Sequence, residues 1–176
     1  MVSKHSRAPK LLGDFGEGLV TYALIRKGFE VACVDHVGAD LIAEKNAYTI
    51  AVSVKTRLFR SGSVESRGMV FEYSHLEKLK HFGARFNLDP VLAFAVCIAD
   101  DNVIHLFVIR VEDIELRLKK VKHGHRFQFG SKHLDATIAL PYVDYSCWSD
   151  ERISPDLFPD QQAMQQNDAE SESYRS

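Results

Sequence analysis

The stretch HVGADLIAEKNAYTIAVSVKTR, residues 36–57, constrains the fold of this chain more than any other. It reads as two short strands joined by a turn, with an acid near its start and a lysine near its end. In its second half the side chains alternate: Tyr48, Ile50, Val52 and Val54 face one way, and Thr49, Ala51, Ser53, Lys55 and Arg57 the other. A period of two is the signature of a strand, and it puts Ser53 and Lys55 on one face.

The flanking segments frame this pair. Leu12, Phe15, Leu19, Tyr22, Ala23 and Ile25 recur at roughly helical spacing between Leu11 and Lys27, and Gly28 stands where a helix ends. EVACVDH (30–36) and ADLIAEK (39–45) read as strands separated by Gly38. After a Gly/Ser-rich basic loop, RLFRSGSVESRG, the segment SHLEKLKHFGARF predicts a helix with Ser74 as N-cap and Leu76, Leu79 and Phe82 or Phe86 on its inner stripe. PVLAFAVCIAD and NVIHLFVIRV predict a buried hairpin, and EDIELRLKK a short helix or turn. HRFQFG and LDATIALPYV are expected as edge strands. Helix, three strands, helix and further strands make an α/β chain with a mixed sheet flanked by helices.

The chain's 176 residues allow one domain with a real core, expected over 11–150, with an N-terminal arm over 1–10. The polar, acidic segment 151–176 is expected to be disordered, because it has too few apolar side chains to offset its ordering entropy. From Asp150 onward there are seven acids and two bases, so the part expected to fold is mildly basic although the whole chain carries −2. No apolar run is long enough to span a bilayer, and MVSKHSRAPK lacks the apolar core of a signal peptide. A cytoplasmic protein with no membrane partner is expected. Cys33, Cys97 and Cys147 are odd in number and far apart, which favours buried reduced thiols over disulfides. His123 and His125 lack the companions of a zinc site.

Three features then stand in order over some forty residues: GDFGEG with Glu17 on the first helix, GADL with Asp40 opening a strand, and SVK with Lys55 at the end of the next. Together they resemble the PD-(D/E)xK nuclease superfamily, in particular its small members similar to archaeal Holliday-junction resolvases and restriction-endonuclease-like domains. The resemblance covers roughly residues 10–100. It implies a restriction-endonuclease-like mixed sheet flanked by helices, and Mg²⁺ or Mn²⁺ as cofactor. It implies Asp40 as metal ligand, the carbonyl of Val54 as a further ligand, Lys55 as catalytic lysine, and Glu17 as a helix glutamate near the metal or the scissile phosphate. The family pattern asks for Glu, Asp or sometimes Gln at position 53, where this chain has Ser53, a poor Mg²⁺ ligand. DNA is the implied partner, and a homodimer would suit an enzyme that cuts two strands symmetrically.

The chemistry fits these residue types without the family. Phosphodiester hydrolysis needs an in-line water and stabilisation of charge on the phosphate oxygens, which divalent cations supply. A lysine beside them can orient the water or neutralise charge. In an active version of the site, Glu17 or another acid such as Glu72 makes up the charge missing at Ser53. In a degenerate version, the fold binds nucleic acid or a protein without hydrolysis.

Each residue also has a plainer reading. Asp14 and Glu17 could cap a helix start. Asp40 could end a turn, and Lys55 with Arg57 could guard a strand edge. On those readings the chain is only a structural or partner-binding α/β domain. Two basic stretches could hold a phosphate backbone: Arg57, Arg60 and Arg67 beside Lys55, and Arg117, Lys119, Lys120, Lys122 and Arg126, which could equally be a solvated face.

Overall fold

The computed structural model describes residues 7–59, 68–98 and 102–149. The elements are α1 (Ala8–Arg26), β1 (Glu30–His36), β2 (Ala39–Lys45), β3 (Tyr48–Phe59), β4 (Gly68–Glu72), α2 (Tyr73–Phe86), β5 (Asp89–Ile98), β6 (Val103–Arg110), α3 (Val111–Arg117), β7 (Lys119–Val121), β8 (Gly124–Gln128), α4 (Ser131–Ile138) and β9 (Asp144–Ser149). The main sheet has the order β1-β2-β3-β5-β6-β9; β3 and β5 are parallel and every other pair is antiparallel. A second, antiparallel sheet has the order β4-β8-β7. The architecture is therefore the expected one: α/β, with a mixed sheet covered on both faces, and a helix, a three-strand meander, a helix and a parallel strand in sequence.

Strand alternation sorts the core into two layers. Leu41, Ala43, Ile50, Val52 and Val54 pack on one face with Val20, Ala23 and Leu24 of α1. Leu92, Phe94 and Phe107 pack on the other face, against Leu76, Leu79 and Phe82 of α2 and Phe71 and Phe127 of the small sheet. Phe94 sits amid aromatic contacts, with ring centroids 6.0 Å from Phe71 and 5.3 Å from Phe129. β5 is buried on both faces from Val91 to Ile98, as a central strand with neighbours on each side must be.

Several expectations change. α1 reaches back to Ala8 with a proline in its first turn, so Asp14 and Glu17 lie inside the helix and cap nothing. Its buried stripe is Gly16, Val20, Ala23 and Leu24, whereas Phe15, Tyr22 and Ile25 are exposed. Ser74 is not an N-cap: β4 runs straight into α2, and Glu72 takes that position with extended backbone and no side-chain cap. HRFQFG forms β8, the middle strand of the small sheet, instead of an edge.

LDATIALPYV is no strand. Ser131–Ile138 is helical, because Leu134 and Ile138, one turn apart, turn together to the core and the Thr137 hydroxyl donates to the Gln128 carbonyl. Of the three free cysteines only Cys97 is buried; Cys33 and Cys147 lie on edge strands and are exposed. Among the described residues no helix is long and apolar enough to cross a membrane. The segment 151–176 and residues 1–6 of the expected arm lie outside the described residues.

Candidate active site

The β2–β3 pair is open at one end. Its ladder runs from Lys45↔Tyr48 to Leu41↔Val52, while β3 continues against β5 as far as Phe59↔Ile98. At this end Gly38 turns the chain at φ +116°, and a Cβ there would stand 2.6 Å from the Lys78 carbonyl of α2. Only glycine suits both the dihedral and the close approach. The turn therefore packs against α2 and delivers Asp40 at the mouth of the opening.

Asp40 closes the gap that the ladder leaves. Its Oδ2 accepts the Val54 backbone N–H at 2.6 Å, satisfying a donor that β2 would otherwise leave unpaired. In a strand, the N–H and C=O of one residue point to the same side, so the Val54 carbonyl faces the opening as well. Side chains on either side of Val54 point toward the α2 layer: Ser53 is buried at 8% exposure, Lys55 is half-buried, and Arg57 is exposed. The Arg57 guanidinium donates to the Thr56 carbonyl at 3.0 Å. Asp40, Ser53, the Val54 backbone and Lys55 thus come together.

Glu17 arrives from α1. This helix runs antiparallel to β3, with Gly16 against Thr56 at one end and Leu24 and Lys27 beside Tyr48 and Ile50 at the other. A Cβ at Gly16 would lie 1.8 Å from Thr56 Oγ1, so the missing side chain lets the helix sit on the strand. Glu17, the next residue, is half-buried at the margin of the helix's buried stripe. The other margin, with Ala23, Arg26 and Lys27, lines a cleft with Ser146, Cys147 and Trp148 of β9. By elimination Glu17 is carried on the β1–β2 side, at the open end of the sheet. It comes from the face opposite Lys55.

The remaining candidates are placed differently. Arg60 and Arg67 lie outside the described residues. Glu72 is exposed at the end of β4, on the strand face opposite buried Phe71, and so points away from the main sheet. Arg117 is tied to buried Asp113, which accepts from both Arg117 and Arg110 at 3.0 Å. Sequence reasoning did not anticipate that Lys119 and Arg126 stand directly opposite each other in the β7–β8 ladder. Like charges so placed repel unless an anion lies between them.

The donor set can be tested against a divalent cation. Mg²⁺ takes oxygen ligands, keeps several waters, and is held by one or two carboxylates together with substrate phosphates. The Asp40 carboxylate, the Val54 carbonyl and the Ser53 hydroxyl are of the right type. Among the described residues, however, no three His, Cys, Asp or Glu side chains gather as a metal site. The set fits a cation held largely by its waters and a bound phosphate, and does not form a protein cage.

No protein-family model matches the chain, and no curated protein matches it. Among solved structures it is similar to a Holliday junction resolvase from the archaeal hyperthermophile Archaeoglobus fulgidus, with 16% identity and a TM-score of 0.48 over 66% of this chain and 83% of that one. It is also similar to a bacterial homing endonuclease, with 13% identity and a TM-score of 0.38 over 95% of this chain and 97% of that one.

Proposed function

We propose that this chain is a metal-dependent nuclease-like protein acting on DNA phosphodiester bonds, with a variant site at the open end of β2 and β3. The observation that carries this reading is the 2.6 Å bond from the Val54 N–H to Asp40 Oδ2. It fixes a carboxylate at the open edge of β3, on the residue next in the chain to Lys55. Asp40 and the Val54 carbonyl would hold Mg²⁺ or Mn²⁺, with Glu17 of α1 adding charge. When bound, the cation neutralises charge on the phosphate oxygens and makes water more acidic.

The chain's own side chains do the rest. Lys55 orients the attacking water or pairs with a non-bridging oxygen, and its half-buried stem limits where its ammonium can go. Arg57, with Arg60 and Arg67 beyond it, contacts the phosphate backbone. Two copies related by a two-fold axis would offer one site to each strand of a duplex.

Ser53 favours a second reading, in which the domain binds nucleic acid or a protein partner and does not cut. A hydroxyl stands where the motif needs charge, and no other acid among the described residues completes a metal-binding group.

One experiment separates the two. Plasmid, single-stranded and branched DNA are incubated with Mg²⁺ or Mn²⁺ and the wild type, Asp40→Ala or Lys55→Ala, and binding is followed in parallel. Cleavage by the wild type alone supports the first reading, and binding without cleavage by any of them supports the second. Cleavage unchanged in both variants sinks the site assignment.

A further inference from the structure

Three rings stand together where the β1–β2 turn meets the end of α2, and two of them are open to solvent. Buried Phe82 has His36 at 4.9 Å and Phe86 at 4.8 Å between ring centroids, and the His36 and Phe86 rings are 6.3 Å apart at 85°. Phe86 is 48% exposed, and Val37, beside exposed His36, is 73% exposed. Phe86 is the last residue of α2, because Asn87 takes a left-handed φ of 54° and ends the helix. The His36 Nδ1–H donates to the Val37 carbonyl at 2.9 Å, which holds that ring in place.

Cations flank the rings. Lys78 and Arg85 are both exposed and stand seven residues apart, so they lie along one side of α2, about 10.5 Å apart on its axis. The Arg85 guanidinium is 5.4 Å from the centre of the Phe86 ring, and the Gly38 turn packs against the backbone of Lys78. Glu77, the one acid of α2, is taken by Lys80 at 3.1 Å. Neither Lys78 nor Arg85 is in an ion pair among the described residues.

An open aromatic pair between two uncompensated cations suits a ligand that is flat, aromatic and joined to anions on both sides. An unpaired nucleotide is such a ligand: its base has a π face for the rings, and its phosphates take the cations. An aliphatic peptide side chain would leave the cations unused. A paired base would not reach the rings, because its faces are covered by its neighbours in the duplex.

We propose that this cluster is a stacking site for an unpaired nucleotide, with Phe86 and His36 taking the base, and Arg85 and Lys78 the phosphates on either side. The proposal rests on the DNA reading above and narrows its substrate to DNA with unpaired bases, as at a branch, a bulge or a single-stranded end. The place in the fold suits that role. His36 pairs with Ala39 across the turn, and Asp40 is the next residue, so a strand held at the rings runs toward the open end of β2 and β3.

Anisotropy titrations of the full chain without a divalent cation compare a blunt duplex, the same duplex with a short single-stranded overhang, and that overhang built from abasic sugars. The base-bearing overhang is expected to bind about tenfold more tightly than the blunt duplex, which corresponds to about 1.4 kcal/mol from one stacked base. The abasic overhang should lose most of that gain although it keeps its phosphates. Phe86→Ala should bring the overhang down to the level of the blunt duplex and leave the blunt duplex as it was, and Phe86→Trp should restore the gain. Arg85→Gln should lower the salt slope of overhang binding by about 0.7.

An overhang that binds no better than the blunt duplex overturns the proposal. So does an abasic overhang that binds as tightly as one with bases, or a Phe86→Ala variant that weakens both ligands equally with no rescue by Phe86→Trp. A chain that binds none of the three overturns the DNA reading itself. One that shows the tenfold gain and yet cuts no DNA in Mg²⁺ supports the stacking site and removes only hydrolysis, so the two readings fail separately.

Discussion

The two halves of β3 are one strand under two regimes. From Tyr48 to Val52 it is paired with β2 on one side and from Ile50 with β5 on the other, and Ile50, Ala51 and Val52 are buried. From Ser53 to Phe59 only β5 remains in the ladder. The first buried polar residue of β3, Ser53, stands where the second neighbour stops. From Ile50 to Val52 the strand has a neighbour on both sides; beyond that, the Val54 donor is met by the Asp40 carboxylate. The difference shows how a sheet opens a polar gap without giving up its core: it withdraws one neighbour.

Breaking the open half should remove chemistry and leave the fold. Asp40→Asn keeps an oxygen for the Val54 N–H but discards the charge, so cleavage should fall by on the order of 10³, about 4 kcal/mol of barrier, with denaturant stability almost unchanged. Loss of stability and activity in equal measure would make Asp40 structural. Breaking the closed half should do the reverse. Leu41→Ala, on β2 opposite Val52 and fully buried, is expected to cost about 3 kcal/mol in urea unfolding while folded protein still cuts.

The open half can be strained from below. Gly16→Ala pushes a methyl group toward Thr56 Oγ1 and should destabilise by about 2 kcal/mol, despite alanine's better helix propensity. Adding Thr56→Ala should recover most of that loss, a non-additivity that a thermodynamic cycle measures directly. If the two effects simply add, α1 does not bear on β3 at this point.

Ser53→Glu sharpens the comparison by restoring a carboxylate to the open half. Mg²⁺ should raise the melting temperature of this variant more than that of the wild type, by a margin corresponding to roughly tenfold in affinity, about 1.4 kcal/mol. Equal shifts would mean that Ser53 does not face the cation.

A smaller effect belongs to a polar group that is not in the open half. His105 lies in the ladder at the level of Arg57, paired through Val96, and its Nδ1 is 2.8 Å from the Tyr145 hydroxyl. Burial lowers its pKa below the usual histidine value. The unfolded chain therefore takes up a proton that the folded chain refuses. That contribution to stability is full above the unfolded pKa and is lost as pH falls through it toward the lower folded value. His105→Asn should flatten the acid side of the stability curve by about 1 kcal/mol, as urea midpoints at pH 7.5 and 5.5 would report.

The parts visible in the sequence were those whose pattern has one structural meaning. EVACVDH and ADLIAEK form strands with the expected ends, because Gly38 and the Asn46–Ala47 turn punctuate them; both of those turn residues adopt positive φ. The β5–β6 hairpin was legible because a long apolar run can be satisfied only between two neighbours. The outer face of α1 was not legible, since Phe15, Tyr22 and Ile25 recur as regularly as the residues that are buried. Only Gly16, which reads as a weak helix residue, marks the side that touches the sheet. α4 was misread because β-branched Thr137 and Ile138 suggest a strand, while the one-turn spacing of Leu134 and Ile138 prevails once there is a core to face. The order Glu17, Asp40, Lys55 is visible in the sequence, but the bond that fixes Asp40 is not, because it depends on where a ladder ends.

That bond has a spectroscopic consequence. A backbone proton held by a carboxylate oxygen at 2.6 Å resonates far downfield and exchanges slowly for as long as the carboxylate is in place. Val54 is thus a reporter built into the strand. In an amide-correlated NMR spectrum, a single cross-peak would record when Asp40 turns to a cation or lets go.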